Sequence, residues 1–256
     1  MITTTSSENE FEANEYIILH YDFNKVVNFK ENILDLSGNG LNLMRASSHG
    51  VSSPKWGEEY GICGPGFKFY GNRFQSQCLY RDNIGMALAQ TTGSICLWIQ
   101  PFGAGNKKQA VFSISNGCIP LKTEFLLELD YESDFFKASL IKDGIASWSI
   151  SAPSGSLAAS VDLWTHLSIV QDGLAPKLFI NGYEVNTKLK VLNLSSDWFS
   201  YLFDAVSPPT KICVGATPRV HSPFMALGLF AILDEIKVWN EALTQRDIQE
   251  HYAIKA

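Results

Sequence analysis

An all-β fold, a two-sheet antiparallel sandwich of the jelly-roll kind with short helices at most, is what this sequence predicts. Three observations carry that reading. The stretch Trp164 to Gly182, WTHLSIVQDGLAPKLFING, alternates in polarity and turns at Asp172-Gly173 and again at Asn181-Gly182. Short runs rich in Ile, Val, Phe and Trp recur along the chain, separated by turn signals at roughly ten-residue spacing. Hydrophobic residues make up 46% and aromatics 12%, ample for a core between two sheets, while charged residues at 18% are too few for a disordered chain.

Taken in order, residues 1–14 are polar and acidic and read as an N-terminal arm; 15–256 read as one domain, since sandwiches reach about 200–250 residues as single units. Tyr16 to Phe23 (YIILHYDF) is the first strand, followed by a loop dense in turn formers, Asp35 to Gly40 (DLSGNG). Phe67 to Gly71 is a short strand behind the Gly64-Pro65-Gly66 breaker, and Ser94 to Pro101 and Gln109 to Ser115 follow. Glu124 to Tyr131 alternates as a half-buried strand, with Phe125, Leu127, Leu129 and Tyr131 inward and Glu124, Leu126, Glu128 and Asp130 outward. Phe135 to Ile141 and Ile145 to Ser151 flank the turn Lys142-Asp143-Gly144. Trp164 to Val170, Lys177 to Ile180 and Tyr183 to Lys190 form a three-strand meander. Thr210 to Gly215 and Leu227 to Trp239 complete the strands, and Trp98, Trp164 and Ile236 are expected to share one interior. Ser195 to Val206 and Thr244 to Tyr252 read as helical, the latter with Thr244 as N-cap and Asp247 three residues on.

Several segments, in this order, resemble the laminin-G-like jelly roll of the concanavalin A-like lectin/glucanase superfamily. They are Tyr21-Asp22-Phe23 with Asp35 to Gly40, then Gly66 to Gly71, Ile95 to Pro101, Trp164-x-His166 with its two turns, and Leu233 to Thr244. Ala231 departs from the pattern, standing where the family usually has glycine.

Composition narrows the partners. The formal net charge is −6, and no basic run exceeds Lys107-Lys108, which argues against nucleic acid. No apolar run approaches the roughly 20 residues that span a bilayer. Five cysteines, at 63, 78, 96, 118 and 213, include no C-x-x-C pair and read as free, mostly buried thiols. The N-terminus has no apolar signal core, so the expectation is a chain made in the cytoplasm without a signal peptide.

Three sets of residues are candidates for chemistry. Glu128, Asp130 and Glu132 share a period-two face, and the superfamily includes laminarinase-like glucanases whose catalytic strand alternates acids in this way; retaining glycosidases need two such carboxyls about 5–5.5 Å apart. The bland alternative is a solvated outer face. The resemblance also implies a structural Ca2+ held by Asp35, Asn39 and Asp234, against simple Asx turns and a strand-end cap. Sugar binding, a common use of the fold, would need exposed aromatic platforms; Trp56, Tyr60, Trp198 and Tyr201 are the candidates, with packing beneath a loop as the alternative. His166 reads as a packed sheet residue. The reading of the whole is a non-enzymatic recognition or adhesion module, glycan-binding and part of a larger assembly such as a virion surface or tail component. A purely structural assembly protein contacting neighbouring subunits is second, and a glycoside hydrolase third.

Overall fold

Period-two alternation decides which way each strand faces, and here it builds two sheets around one apolar interior. The structure, a computed structural model, describes residues 16–24, 26–27, 32–47, 52–71, 76–103, 107–117, 122–218 and 227–255. The expected arm at 1–14 lies outside the described residues.

In chain order the strands are β1 (Ile17–Tyr21), β2 (Val26–Val27), β3 (Asn32–Ile33), β4 (Met44–Ser47), β5 (Lys55–Gly57), β6 (Gly66–Tyr70), β7 (Gln77–Asp82), β8 (Gly93–Pro101) and β9 (Lys108–Ser115). They continue as β10 (Glu124–Asp130), β11 (Phe135–Lys142), β12 (Ile145–Ser151), β13 (Thr165–Gln171), β14 (Pro176–Ile180), β15 (Tyr183–Glu184), β16 (Lys188–Val191), β17 (Lys211–Val214) and β18 (Phe230–Trp239). Two helices, α1 (Phe199–Phe203) and α2 (Gln245–Ala253), join them, with single 3-10 turns at Glu58–Tyr60 and Ala158–Ser160.

A front sheet runs β15-β14-β13-β8-β18-β6-β5, with β1 also pairing on β18; a back sheet runs β16-β12-β11-β10-β9-β17-β7-β4. Asn181 (φ 51°) and Gly182 (φ 84°) close the β14–β15 hairpin, and Asp143 (φ 49°) and Gly144 (φ 81°) close β11–β12. Both central residues are left-handed in each case, the type I′ geometry that matches strand twist and that Asn-Gly and Asp-Gly favour. Between the sheets, Ile95, Leu97 and Ile99 of β8 and Leu167 and Ile169 of β13 meet Phe112, Phe125, Leu127 and Trp148 from the back.

The outer face of the front sheet is also covered. Thr244 caps α2 in a reciprocal capping box with Asp247, as its sequence predicts. The helix then lays Ile248 beside Leu243 against Cys96, Val170, Phe179 and Trp239. This second layer explains why β8 and β13 read as almost continuous apolar runs.

Three expectations need correction. Trp98, Trp164 and Ile236 do not share an interior: with Leu97 and Ile99 inward, alternation turns Trp98 outward, where it stacks on Tyr252 of α2 at 5.5 Å. Trp164 precedes β13 and is half-buried, whereas Ile236 is in the core. Tyr183 to Lys190 is not one strand; β15 stays in the front sheet for two residues and β16 pairs with β12 in the back sheet. The acidic face of β10 is not solvated, since Glu124, Glu128 and Asp130 are only 1%, 4% and 3% exposed. Lysines explain this: Lys137 is the cross-strand register partner of Glu128 and Lys108 of Asp130, while Glu124 pairs with Lys122 two residues before it.

Candidate functional site

One extra residue in β18 organises the outer face of the front sheet. Leu233 pairs with Ile99 and Asp234 with Trp98, but the next register pair is Lys237 with Cys96, so β18 gains a residue over β8. Glu235 takes φ 50° at that bulge. The insertion shifts the alternation: Ala231 and Leu233 point inward before it, Ile236 and Val238 after it. Asp234 and Glu235 are thereby both left on the side facing α2 and the 61–62 loop.

Their surroundings differ. Glu235 Oε2 lies 3.7 Å from His20 Nε2 and 3.3 Å from Lys237 Nζ, and Oε1 lies 3.1 Å from Lys255 Nζ. Burial pushes this carboxyl up, but His20 and the two lysines outweigh it and hold it at about 2. Among the described residues no cation comes this close to Asp234. Burial and the neighbouring Glu235 charge raise it to about 7, although Oδ2 accepts from Ile62 N (3.1 Å) and Oδ1 from Glu235 N (2.8 Å). The loop approaches so closely that a Cβ on Gly61 would sit 2.8 Å from Asp234 Oδ2 and 2.2 Å from Gly64 O.

Across Trp98 from Asp234 stands His166, the register partner of Trp98 on β13. Its ring lies 5.1 Å from Trp98 and 6.2 Å from Tyr252, and Nδ1 is buried without a partner among the described residues. Burial first, then the charges of His251 and Lys237, drive it down to about 3, so it is neutral at physiological pH. His251, lowered by burial and by Lys237, lies with its ring tilted 59° against Trp239 at 4.9 Å. Together His166, Glu235, Lys237, His251 and Lys255 line a cavity of about 30 Å3, room for water but not for a sugar ring. This cluster pins α2 and the chain end to the sheet. Its chemistry is ion pairing around a buried acid, and it has no space for a substrate.

The residues singled out in the sequence fall in other places. Glu128 Oε1 accepts from Lys137 Nζ at 2.9 Å, and Asp130 Oδ2 lies 3.5 Å from Lys108 Nζ. Asp130 Oδ1 also accepts from the backbone of Glu132 and Ser133, so it caps a turn. Glu132 lies in that turn beyond the strand and pairs with Lys107 at 3.0 Å. The three acids are thus each engaged by a separate lysine.

Asp35 is buried and uses its carboxylate as a turn acceptor, taking His20 N and Ser37 N on Oδ1 and Leu41 N on Oδ2. Asn39 donates its amide to Ile18 O and Ser37 Oγ. Among the described residues no three His, Cys, Asp or Glu gather as metal ligands. Asp35 thus serves its own turn as an Asx acceptor, the alternative that the sequence offered.

Of the four aromatic candidates, Trp198 is interior. It is 1% exposed, stacked 4.3 Å from Phe199 and 6.3 Å from Trp148, because the short α1 tucks it under the back sheet. Trp56 packs on the core through its register position beside Phe67 and donates Nε1–H to Phe23 O at 2.9 Å. Tyr201 is half-buried, with Lys142 Nζ 4.3 Å above its ring and its hydroxyl accepting from Asn193. Tyr60 alone looks onto the outer face of the front sheet, beside Lys68 and Tyr70. Alternation in Gly66–Tyr70 already put Lys68 and Tyr70 on one face; what sequence reasoning missed is that Tyr60 and Phe102 converge there from other segments.

Comparison with known proteins agrees with this architecture. The model of the concanavalin A-like lectin/glucanases superfamily matches residues 80–249. No curated protein matches the chain. Among solved structures, the receptor-binding domain of botulinum neurotoxin D is similar at a TM-score of 0.61 and 15% identity, over 95% of this chain and 54% of that one. The binding domain of botulinum neurotoxin DC, solved in complex with rat synaptotagmin II, gives 0.63 and 14%, over 95% and 52%. A structure of botulinum neurotoxin type C, whose cell entry is dependent upon interaction with two ganglioside molecules, gives 0.63 and 15%, over 95% and 52%. The chain therefore spans about half the length of these structures, and at such identities the likeness is one of fold. With two-thirds of its length matched, from the middle of β7 into α2, this laminin-G-like jelly roll belongs to the concanavalin A-like lectin/glucanases superfamily.

Proposed function

We propose that the protein is a non-enzymatic recognition or adhesion module that binds glycans and works within a larger assembly such as a virion surface or tail component. The observation that carries the non-enzymatic part is the state of the acids. Glycoside hydrolysis needs a paired nucleophile and acid, whereas Glu128, Asp130 and Glu132 are each engaged by a separate lysine, two of them buried beneath it. The similar structures support the recognition part: one is a receptor-binding domain, one a binding domain in complex with rat synaptotagmin II, and one belongs to a neurotoxin whose cell entry depends upon interaction with two ganglioside molecules. A glycan array run beside a soluble β-glucan hydrolysis assay tests the reading. Glycan capture without hydrolysis is expected; hydrolysis abolished by E128Q would overturn it.

The second reading, a structural subunit, is favoured by the β16 edge. All four residues of Lys188–Val191 are exposed, and Leu189 and Val191 continue into exposed Leu192 and Leu194. An open apolar strand edge of this kind is a template for pairing. Light scattering of the wild type against L189K/V191K decides it: a fall in mass with unchanged melting supports assembly through this edge.

A further inference from the structure

At the β5–β6 end of the front sheet, two lysines face each other with no ion-pair partner among the described residues. Lys55 on β5 and Lys68 on β6 are direct register partners. Like charges directly opposite each other weaken a sheet. Phe67 and Phe69 are in the core and Trp56 packs against it, so alternation sends Lys55, Lys68 and Tyr70 to the outer face. Among the described residues the ion pairs use other cations, and no carboxylate comes within 4 Å of either ammonium. Glu58 and Glu59, on the 3-10 turn that carries Tyr60, form no ion pair with either ammonium; the Glu59 carboxylate instead turns to the Tyr60 hydroxyl at the rim.

Aromatic rings take the place of the missing acid. Lys68 Nζ lies 4.9 Å from the Phe102 centroid, 5.2 Å from Tyr70 and 5.4 Å from Tyr60, and Lys55 Nζ lies 5.3 Å from Tyr70. Ring faces hold a cation in position without neutralising it. Phe102 in turn rests edge-on against Phe230 at 5.4 Å, and all four rings are half-buried, each keeping part of its surface open.

Resting on the glycan-binding reading above, we propose that this face is the subsite for an acidic sugar: Lys55 and Lys68 share its carboxylate or sulfate, and the apolar face of its ring lies against Tyr60 and Tyr70. An anion between the two ammoniums removes their repulsion, which a neutral sugar stacking on the same rings would not do.

The experiment uses 3′-sialyllactose, a sulfated lactose and plain lactose as probes, read by saturation-transfer NMR and titration on the full chain. An acidic probe should bind, lactose should not, and raising salt from about 50 to 500 mM should weaken binding. K55Q/K68Q should bind at least about ten-fold more weakly, the loss of one charged contact or more, with a melting temperature no lower than wild type because the like charges are gone. K68R, which keeps the charge, should retain binding. Equal binding of acidic and neutral probes, or undiminished binding by K55Q/K68Q, overturns the subsite while the glycan-binding reading stands. Capture of no probe here and no glycan on the wider array overturns both.

Discussion

His166 and Asp234 stand on either side of Trp98, each its register partner on a flanking strand, and burial moves the two in opposite directions. The imidazole falls to about 3 and the carboxyl rises to about 7. Burial disfavours the charged form of each group, and the charged form of an acid lies at the high end of the pH scale while that of histidine lies at the low end.

Opposite pH dependences follow for the two. Asp234, raised from 3.8, contributes stability that is lost as pH climbs through about 7; His166, lowered from 6.5, contributes stability that is lost as pH falls from 6.5 toward 3. Relative to wild type, D234N should therefore gain about 1.4 kcal/mol per pH unit as pH rises between about 4 and 7. H166F should gain by the same slope as pH falls through about 6 toward 3. Urea unfolding at unit pH steps measures both, and parallel profiles for wild type and variants would refute the assignment.

Trp198 lies in the interior, so its removal tests packing. W198A should cost about 3–5 kcal/mol, the range for a buried aromatic truncated to alanine. Y201F, which loses only the hydroxyl that accepts from Asn193, should cost about 0.5–1.5 kcal/mol. Chemical denaturation separates the two.

Glu128 is 4% exposed, and its ion pair is with Lys137. K137M leaves that acid buried alone and should destabilise by about 3 kcal/mol, whereas K137M/E128L should recover most of the loss. A double-mutant cycle reads the coupling, and a neutral K137M would mean that Glu128 reaches water.

The fold was legible because its signals are local. Asn181-Gly182 and Asp143-Gly144 announce their hairpins, Thr244 and Asp247 announce α2, and the alternation in β10 assigns Phe125, Leu127 and Leu129 to the core. The misreadings concern what covers a strand's second face. Alternation cannot say that Lys137 and Lys108 lie over the acids of β10, or that α2 roofs Trp98, because those partners come from other strands and from the chain end. The same limit hid the cluster around Glu235. His20, Lys237 and Lys255 reach it from β1, β18 and the last turn, separations that leave no spacing to read.

The bulge at Glu235 makes the last strand a two-register device. Were β18 to run in strict period two from Phe230 onward with every residue kept, Lys237 and Trp239 would be driven between the sheets and Ile236 and Val238 thrown toward α2. A one-codon deletion of Glu235 would thus straighten the strand without inverting it: Ile236 and Val238 would stay inward and Trp239 would stay under α2, while His20, Lys237 and Lys255 would lose the carboxylate they share.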